Sequence, residues 1–358
     1  MASKTYLRPT AFVDAPFGLD GRVARLAGGM QFFSAVDVIS EAGAELVPVE
    51  EFEARLPHLG EEAEAAWAAI QASRAPLTLG ERVIRLDQAQ VVGIVNVTPD
   101  SFSGDGVAAD PAAAVEAGFA MSVAGAALVD VGGESTRPGA KPVWEGDEAA
   151  RVLPIVQQLA AAGTAVSIDS RKAAVMEQAL AAGAHMVNDV SALTWDPRAA
   201  EVVAKAGCPV VLMHHQGTPE AMQDNPRYDR PVLIEVFDWL AERIAAAVAA
   251  GIARERIIVD PGIGFGKTIQ HNLQLINGLA MLHGLGCPVM LGASRKRTIG
   301  ALSNEAPADR RLGGSLAFAL KGAEQGAQLL RVHDVPETLQ ALRIWRGLRD
   351  TALTPPIA

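Results

Sequence analysis

Carboxylates, amides and cations recur in this sequence at one place in a repeated pattern, the C-terminal end of a short apolar run. Asn96 ends the first run, Asp130 the second, Asp169 the third, and Asn188 with Asp189 the fourth. His214 and His215 follow the fifth, Asp260 the sixth, Ser294–Lys296 the seventh, and Arg331 with His333 the eighth. Two chemistries are represented. Asp169, Asn188 and Asp260 are hydrogen-bond acceptors that suit a flat ring edged with N–H and NH₂ groups, and Asn188 can also donate. Arg137, Arg295, Lys296, Arg297 and Arg331, with His333, suit phosphate or carboxylate. Together they point to a ligand with a guanidine-like edge and an anionic end. A lone Asp at a strand end often caps the following helix. Polar residues at the end of every run are hard to explain by capping alone.

The elements that must bring these residues together are legible in the spacing. Strands are expected at 91–97, 127–131, 165–169, 185–189, 209–214, 257–260, 289–291 and 329–332. Ala-rich amphipathic stretches at 111–124, 147–162, 172–182, 198–206, 231–250, 269–285, 312–325 and 336–348 read as helices. Continuous apolar strands alternating with helices imply a parallel sheet. Eight such units in about 260 residues match an α/β fold of the (β/α)₈ TIM-barrel type, whose active sites lie where the strand C-termini converge. A doubly wound sheet is the alternative. Residues 1–76 break the pattern and read as a small N-terminal α/β appendage of unassigned function, with a strand and helix over 43–56 and a helix over 61–73. Residues 74–79 read as a linker, the catalytic domain as 77–358, and 83–86 as a strand plugging the barrel bottom.

Composition narrows the function classes. Apolar residues make up 49% and charged residues 20% of 358, as in a globular protein with a large core. A net charge of -10 argues against a general nucleic-acid or anionic-membrane surface, although a few local cations can still dominate one cleft. The most apolar run, 244–253, is too short to span a bilayer, and the opening MASKTYLRPT lacks the apolar core of a signal peptide. Cys208 and Cys287 have neither zinc nor CxxC spacing and read as buried thiols of a cytoplasmic protein. Adjacent His214 and His215 cannot both face one side of a strand, which weakens a metal reading of that pair. The glycines of 260–267 lack P-loop spacing and read instead as a close backbone approach to a flat ligand.

The motifs taken together resemble the dihydropteroate synthase family. Asn96-Val-Thr-Pro-Asp-Ser-Phe-Ser103 is similar to the family's first loop, and Asp130-Val-Gly-Gly-Glu-Ser-Thr-Arg-Pro-Gly139 to its second. Ser167-Ile-Asp-Ser170, Asn188-Asp189, Met213-His214, Asp260-Pro-Gly262 with Phe265-Gly-Lys267, Ser294-Arg-Lys296 and Arg331-Val-His-Asp334 follow in family order over about residues 83–348. The resemblance implies condensation of 6-hydroxymethyl-7,8-dihydropterin diphosphate with p-aminobenzoate, with loss of pyrophosphate, in folate biosynthesis. It implies pterin contacts from Asp169, Asn188, Asp260, Lys296, Arg331, Phe265 and Met213. It places Asn96, Arg137, Arg331 and His333 on the diphosphate, with Mg²⁺ there and Asn96 as its protein ligand. Phe102, Thr136, Arg137, Pro138 and Arg297 would hold p-aminobenzoate. Arg331, His333, Lys296 and Asp260 would carry the catalysis, in a homodimer inhibited by sulfonamides.

The sequence departs from the family's common pattern at two points. The acid of the first loop is Asp105, one position later than usual, and Arg297-Thr298 follows Ser294-Arg-Lys296 where Ser-Phe is usual. Arg297 is either a p-aminobenzoate ligand or a solvated charge at a helix start. Three rivals remain at this point. A pterin-binding methyltransferase domain would lack the Ser-Arg-Lys and Arg-Val-His anion sites. A non-catalytic paralogue would have lost Arg331, His333 or Lys296. An aldolase-like barrel could use Lys296 as a Schiff base, leaving the acceptors unexplained.

Overall fold

A computed structural model describes residues 4–41, 43–98, 110–135, 142–217 and 221–353. The N-terminal part holds more strand than its sequence pattern predicts. Strands β1 (Tyr6–Val13), β2 (Ala24–Arg25), β3 (Phe32–Ser40) and β4 (Gly43–Pro48) form one antiparallel sheet around β3. The expected strand and helix over 43–56 are β4 and α1 (Val49–Arg55), and α2 (Glu61–Gln71) follows. Leu26, Phe33, Val36, Phe52, Trp67 and Ile70 bury one another here, together with Ala280 from the barrel. The barrel thus contributes to the appendage core.

Arg74 lies in the stretch read as a linker, yet it is a cross-tie. Its guanidinium donates to the carbonyls of Ala69 and Ala72, and across to those of His283 (3.0 Å) and Cys287 (3.3 Å). Burial pulls its pKa down to about 10. The plug is a hairpin rather than a single strand: β5 (Leu77–Leu79) pairs with β6 (Arg82–Ile84) around Gly80, whose φ is +62°.

The barrel strands are β7 (Gln90–Asn96), β8 (Leu128–Gly132), β9 (Val166–Asp169), β10 (Met186–Asp189), β11 (Val210–Met213), β12 (Ile257–Asp260), β13 (Met290–Leu291) and β14 (Leu329–Val332). They are parallel in the order β12-β11-β10-β9-β8-β7-β14-β13, and a bridge between Val259 and Val289 joins the two ends. Helices α3 (Pro111–Ala124), α4 (Glu145–Ala161), α5 (Ala173–Ala181), α6 (Ala199–Ala206), α7 (Val232–Ala249), α8 (Ile269–Asn277), α9 (Arg297–Leu302), α10 (Leu312–Glu324) and α11 (Val335–Ala352) pack outside. The fold is an α/β TIM barrel. The helix expected over 269–285 breaks at Gly278, where a side chain would collide with Leu233, and continues as a 3₁₀ segment, Leu279–Leu285.

Strand alternation builds the site. Val129, Val131, Ile168, Val187, Leu212, Val259 and Leu330 face the helices. Val92, Leu128, Met186, Val211, Ile258, Met290 and Leu329 face inward and pack on Leu77, Leu79, Ile84 and Leu86 of the plug. Two residues further along each strand, the same inward face carries Ile94, Asp130, Asn188, Met213, Asp260, Gly292 and Arg331. An apolar layer sealed from below therefore supports a polar layer at the mouth.

The Arg74 tie predicts that Arg74→Ala destabilises the protein by about 1.5–3 kcal/mol, the range for hydrogen bonds to a charged group. Urea unfolding measures it as a lowered midpoint. An unchanged midpoint would mean that the segment behaves as a solvated linker.

Candidate active site

At the floor of the mouth, Asp130 is 1% exposed. One of its oxygens accepts from Arg331 Nε at 2.6 Å and from Asn188 Nδ2 at 2.9 Å, and the other from the Ser167 hydroxyl. Arg331 Nη2 also donates to Asp169 Oδ2 at 2.7 Å. The second Asp169 oxygen is buried and has no hydrogen-bond partner among the described residues. Burial pushes the Asp169 carboxyl up to about 7, with Arg331 opposing and Asp130 adding. Asp260 is buried beside them, accepts from the Gly262 amide at 2.6 Å, and is likewise pushed up by burial. Glycines keep the floor open. A Cβ at Gly132 would stand 3.3 Å from Asp169 and 3.5 Å from Asn96, and one at Gly292 would stand 3.5 Å from Asp260.

Above this floor lies a cavity of about 690 Å³. Its described lining includes six cationic side chains, Lys267, Arg295, Lys296, Arg297, Arg311 and Arg331, against two carboxylates, Glu134 and Asp169. A protein of net charge -10 thus concentrates positive charge at this one mouth. Lys296 Nζ lies 4.2 Å from the centre of the Phe265 ring. His333 Nδ1 is 3.0 Å from Ser294 Oγ, which joins the ends of β13 and β14. Arg295 makes a paired contact with Asp334 that ties the same two loops, so its charge is partly committed.

Asn96, Asp169, Phe265, Lys296, Arg297, Arg331 and His333 all line the cavity. Asn188, Asp260 and Met213 lie beneath it, in the buried inward layer. Phe102, Asp105, Thr136, Arg137 and Pro138 fall outside the described residues. Asp189 turns the other way, as alternation requires, and its carboxylate accepts from the amides of Ser191 and Leu193 and from the Ser191 hydroxyl. Several polar neighbours of the cavity carry no ligand role in the sequence pattern, Asp130, Lys267, Arg311 and Gln223 among them. Asp130 was visible as a strand-end acid and shares its inward register with Leu128. Lys267 lay within Phe265-Gly-Lys267 without a role of its own. Arg311 donates to the carbonyl of Arg295 at 2.9 Å, and Gln223 to that of Gly264 at 2.5 Å. No local signal marked either of these two.

A buried acceptor floor below a cationic wall is the arrangement that a flat N–H-rich ring with an anionic tail requires. Residues 92–333 match the model of the pterin-binding enzyme family. The dihydropteroate synthase of Escherichia coli (strain K12) is 46% identical over 260 residues, which are 72% of this chain and 91% of that one. The chain belongs to the dihydropteroate synthase family. The Yersinia pestis dihydropteroate synthase, solved with a sulfonamide drug complex, superposes with a TM-score of 0.74 at 44% identity. The Xanthomonas albilineans enzyme, solved with 4-aminobenzoic acid, does so with 0.72 at 46%. Each match covers 77% of this chain and 99% of the other.

The charge crowding at the floor carries a pH prediction. A carboxyl whose folded pKa, about 7, exceeds its ordinary 3.8 costs stability as pH rises between those values. Asp169→Asn is therefore expected to melt at a higher temperature than the native protein at pH 8, with the advantage shrinking toward pH 4.5. Melting curves across that range measure it. A lower melting temperature at pH 8 would show that the Arg331 pairing outweighs the burial cost.

Proposed function

We propose that this cavity joins 6-hydroxymethyl-7,8-dihydropterin diphosphate to p-aminobenzoate, giving 7,8-dihydropteroate and pyrophosphate as a step of folate biosynthesis. The observation that carries the reading is the stacking of the two layers: buried Asn188 and Asp260 with half-buried Asp169 at the floor, and Lys296, Arg297, Arg331 and His333 around the opening. Asp260 and Asp169 accept from the pterin amino and ring N–H groups, and Lys296 donates to the ring carbonyl. Phe265 and Met213 wall the ring. Arg331 and His333, with Arg137, hold the diphosphate.

The reaction then needs little acid–base help. The C–O bond to the diphosphate breaks, and its electron pair leaves with pyrophosphate, stabilised by cations fixed in place beforehand. The dihydropterin ring and the buried carboxylates favour the methylene cation that is left. The neutral aniline nitrogen of p-aminobenzoate forms the new C–N bond and gives its proton to pyrophosphate or solvent. Phe102, Thr136, Pro138 and Arg297 are assigned to p-aminobenzoate. A sulfonamide, which has the same aniline end, would compete there.

Mg²⁺ belongs to the same proposal. It keeps several waters and binds through one or two protein oxygens plus substrate phosphates. Asn96, at the end of β7 and on the cavity wall, offers one such oxygen. Among the described residues there is no group of three or more His, Cys, Asp or Glu placed to hold a metal ion. When bound, it would neutralise charge on the departing pyrophosphate. Asn96 would then orient the diphosphate beside Arg331 and His333. A homodimer in the cytoplasm completes the reading. Among the described residues, no helix is long and apolar enough to cross a membrane.

A pyrophosphate-release assay tests the function. Release is expected only when the pterin diphosphate and p-aminobenzoate are both present. Asp260→Asn, which puts an amide donor against a ring donor, is expected to weaken pterin binding about 10- to 100-fold, since a charged hydrogen bond is worth about 1.5–3 kcal/mol. Release indifferent to p-aminobenzoate would overturn the reaction. Pterin affinity within about twofold of native by calorimetry would remove Asp260 from the pterin site.

A further inference from the structure

The loop from Asp260 to Lys267 is folded around the backbone of His214. The His214 amide donates to the Asp260 carbonyl at 2.9 Å. Gly262, at φ +66°, presses so closely that a Cβ there would lie 1.9 Å from the His214 carbonyl oxygen. Lys267 closes the ring. Its Nζ is 2.9 Å from His214 Nδ1, 3.4 Å from the His214 carbonyl and 3.0 Å from the Phe265 carbonyl. Lys267 is 3% exposed and His214 4%, while Lys267 also contributes to the cavity lining. This loop presents Asp260 and Phe265, and Phe265 in turn carries Lys296 over its ring.

The clasp has an unusual chemical property. Three contacts saturate an ammonium if His214 Nδ1 is bare. They equally saturate a neutral amine if His214 Nδ1 carries the proton, because the lysine lone pair then accepts. The pair can therefore change charge without losing a hydrogen bond.

We propose that Lys267 is a positioning residue for the pterin reaction: clasped to His214, it fixes the loop that offers Asp260 and Phe265, and its charge joins the Gly262 amide, Lys296 and Arg331 in holding Asp260 in the ionised form that accepts from the ring. This inference rests on the pterin reading of the cavity. The charged and titratable groups around the pair are Asp260 from β12, Lys296 from the loop after β13, His215 beside His214, and Tyr228 and His271 on the outer side, while Arg331 from β14 acts on Asp260. Asp260 alone among them favours the ammonium. Burial pulls Lys267 down to about 7, with Asp260 opposing and Lys296 adding. Burial likewise holds the His214 imidazole well below its ordinary value. As pH rises through neutrality, Lys267 loses its proton, and Asp260 loses that supporting charge.

The test is the dissociation constant of 6-hydroxymethylpterin from pH 5.5 to 8.5 for the native protein, Lys267→Met and Lys267→Arg. Dividing variant by native values cancels the ligand's own ionisation and that of Asp169. The Met/native ratio is expected to be at least about tenfold at pH 6 and to shrink several-fold by pH 8.5, whereas native and Lys267→Arg diverge only at high pH. A Met/native ratio constant with pH overturns the proposal and leaves a merely structural clasp. No pterin binding by the native protein at any pH would instead overturn the function on which the proposal rests. Carbon-13 NMR of the lysine side-chain CH₂ groups in the native protein covers the case of a variant that does not fold. One lysine signal of the native protein should titrate near neutrality, and lysine signals all unchanged up to pH 9 would equally overturn the proposal.

Discussion

Asp130 and Asp169 can lie side by side under the barrel mouth because one guanidinium reaches both, at 2.6 and 2.7 Å. Two buried carboxylates without a cation would not both ionise, and breaking such a pairing leaves an uncompensated charge. Arg331 is therefore the residue on which the floor depends. The same group stands on the cavity wall where an anionic tail would come. Structure and the proposed chemistry draw on one side chain.

The barrel makes this arrangement tolerable by layering it. The inward face of the strands is apolar at Leu128, Met186, Val211, Ile258 and Leu329, and the plug hairpin seals it from below. Two residues later the same face carries Asp130, Asn188, Asp260 and Arg331, which form the floor of the cavity. A one-residue slip of any strand would exchange these roles with the helix-facing valines, so packing of the lower layer fixes the register of the upper one. The appendage joins this framework through Arg74 and Ala280, at the 3₁₀ segment that leads into β13 and then to Ser294–Lys296.

Much of the barrel could be read from the sequence because its signals are local. Helix α3 is bounded by Asp110, whose side chain accepts from the Ala112 amide, by Pro111 and by left-handed Gly125, and both ends were expected where they occur. Strand-end polarity located the mouth. What escaped was non-local. Strand β1 pairs with β3 across the intervening chain, from Val13 against Phe32 to Tyr6 against Ile39, and its half-buried pattern lacks the continuous apolar runs of the barrel strands. The close approach at Gly278 is to Leu233, which lies outside the local sequence window. Arg74 resembled a linker cation because its partners, the carbonyls of His283 and Cys287, are more than two hundred residues away. Asp130 was seen as a strand-end acid, but nothing in its neighbours revealed that Arg331 would bind it.

The dependence of the floor on Arg331 can be measured directly by urea unfolding of Arg331→Met at pH 8 and pH 5.5. At pH 8 the variant should lose about 3–5 kcal/mol, the cost of leaving a buried charge unpaired. At pH 5.5 much of that loss should disappear, because carboxyls deprived of their cation take up protons more readily. An equal loss at both pH values, or no loss at pH 8, would contradict the view that charge compensation by this one residue holds the site together.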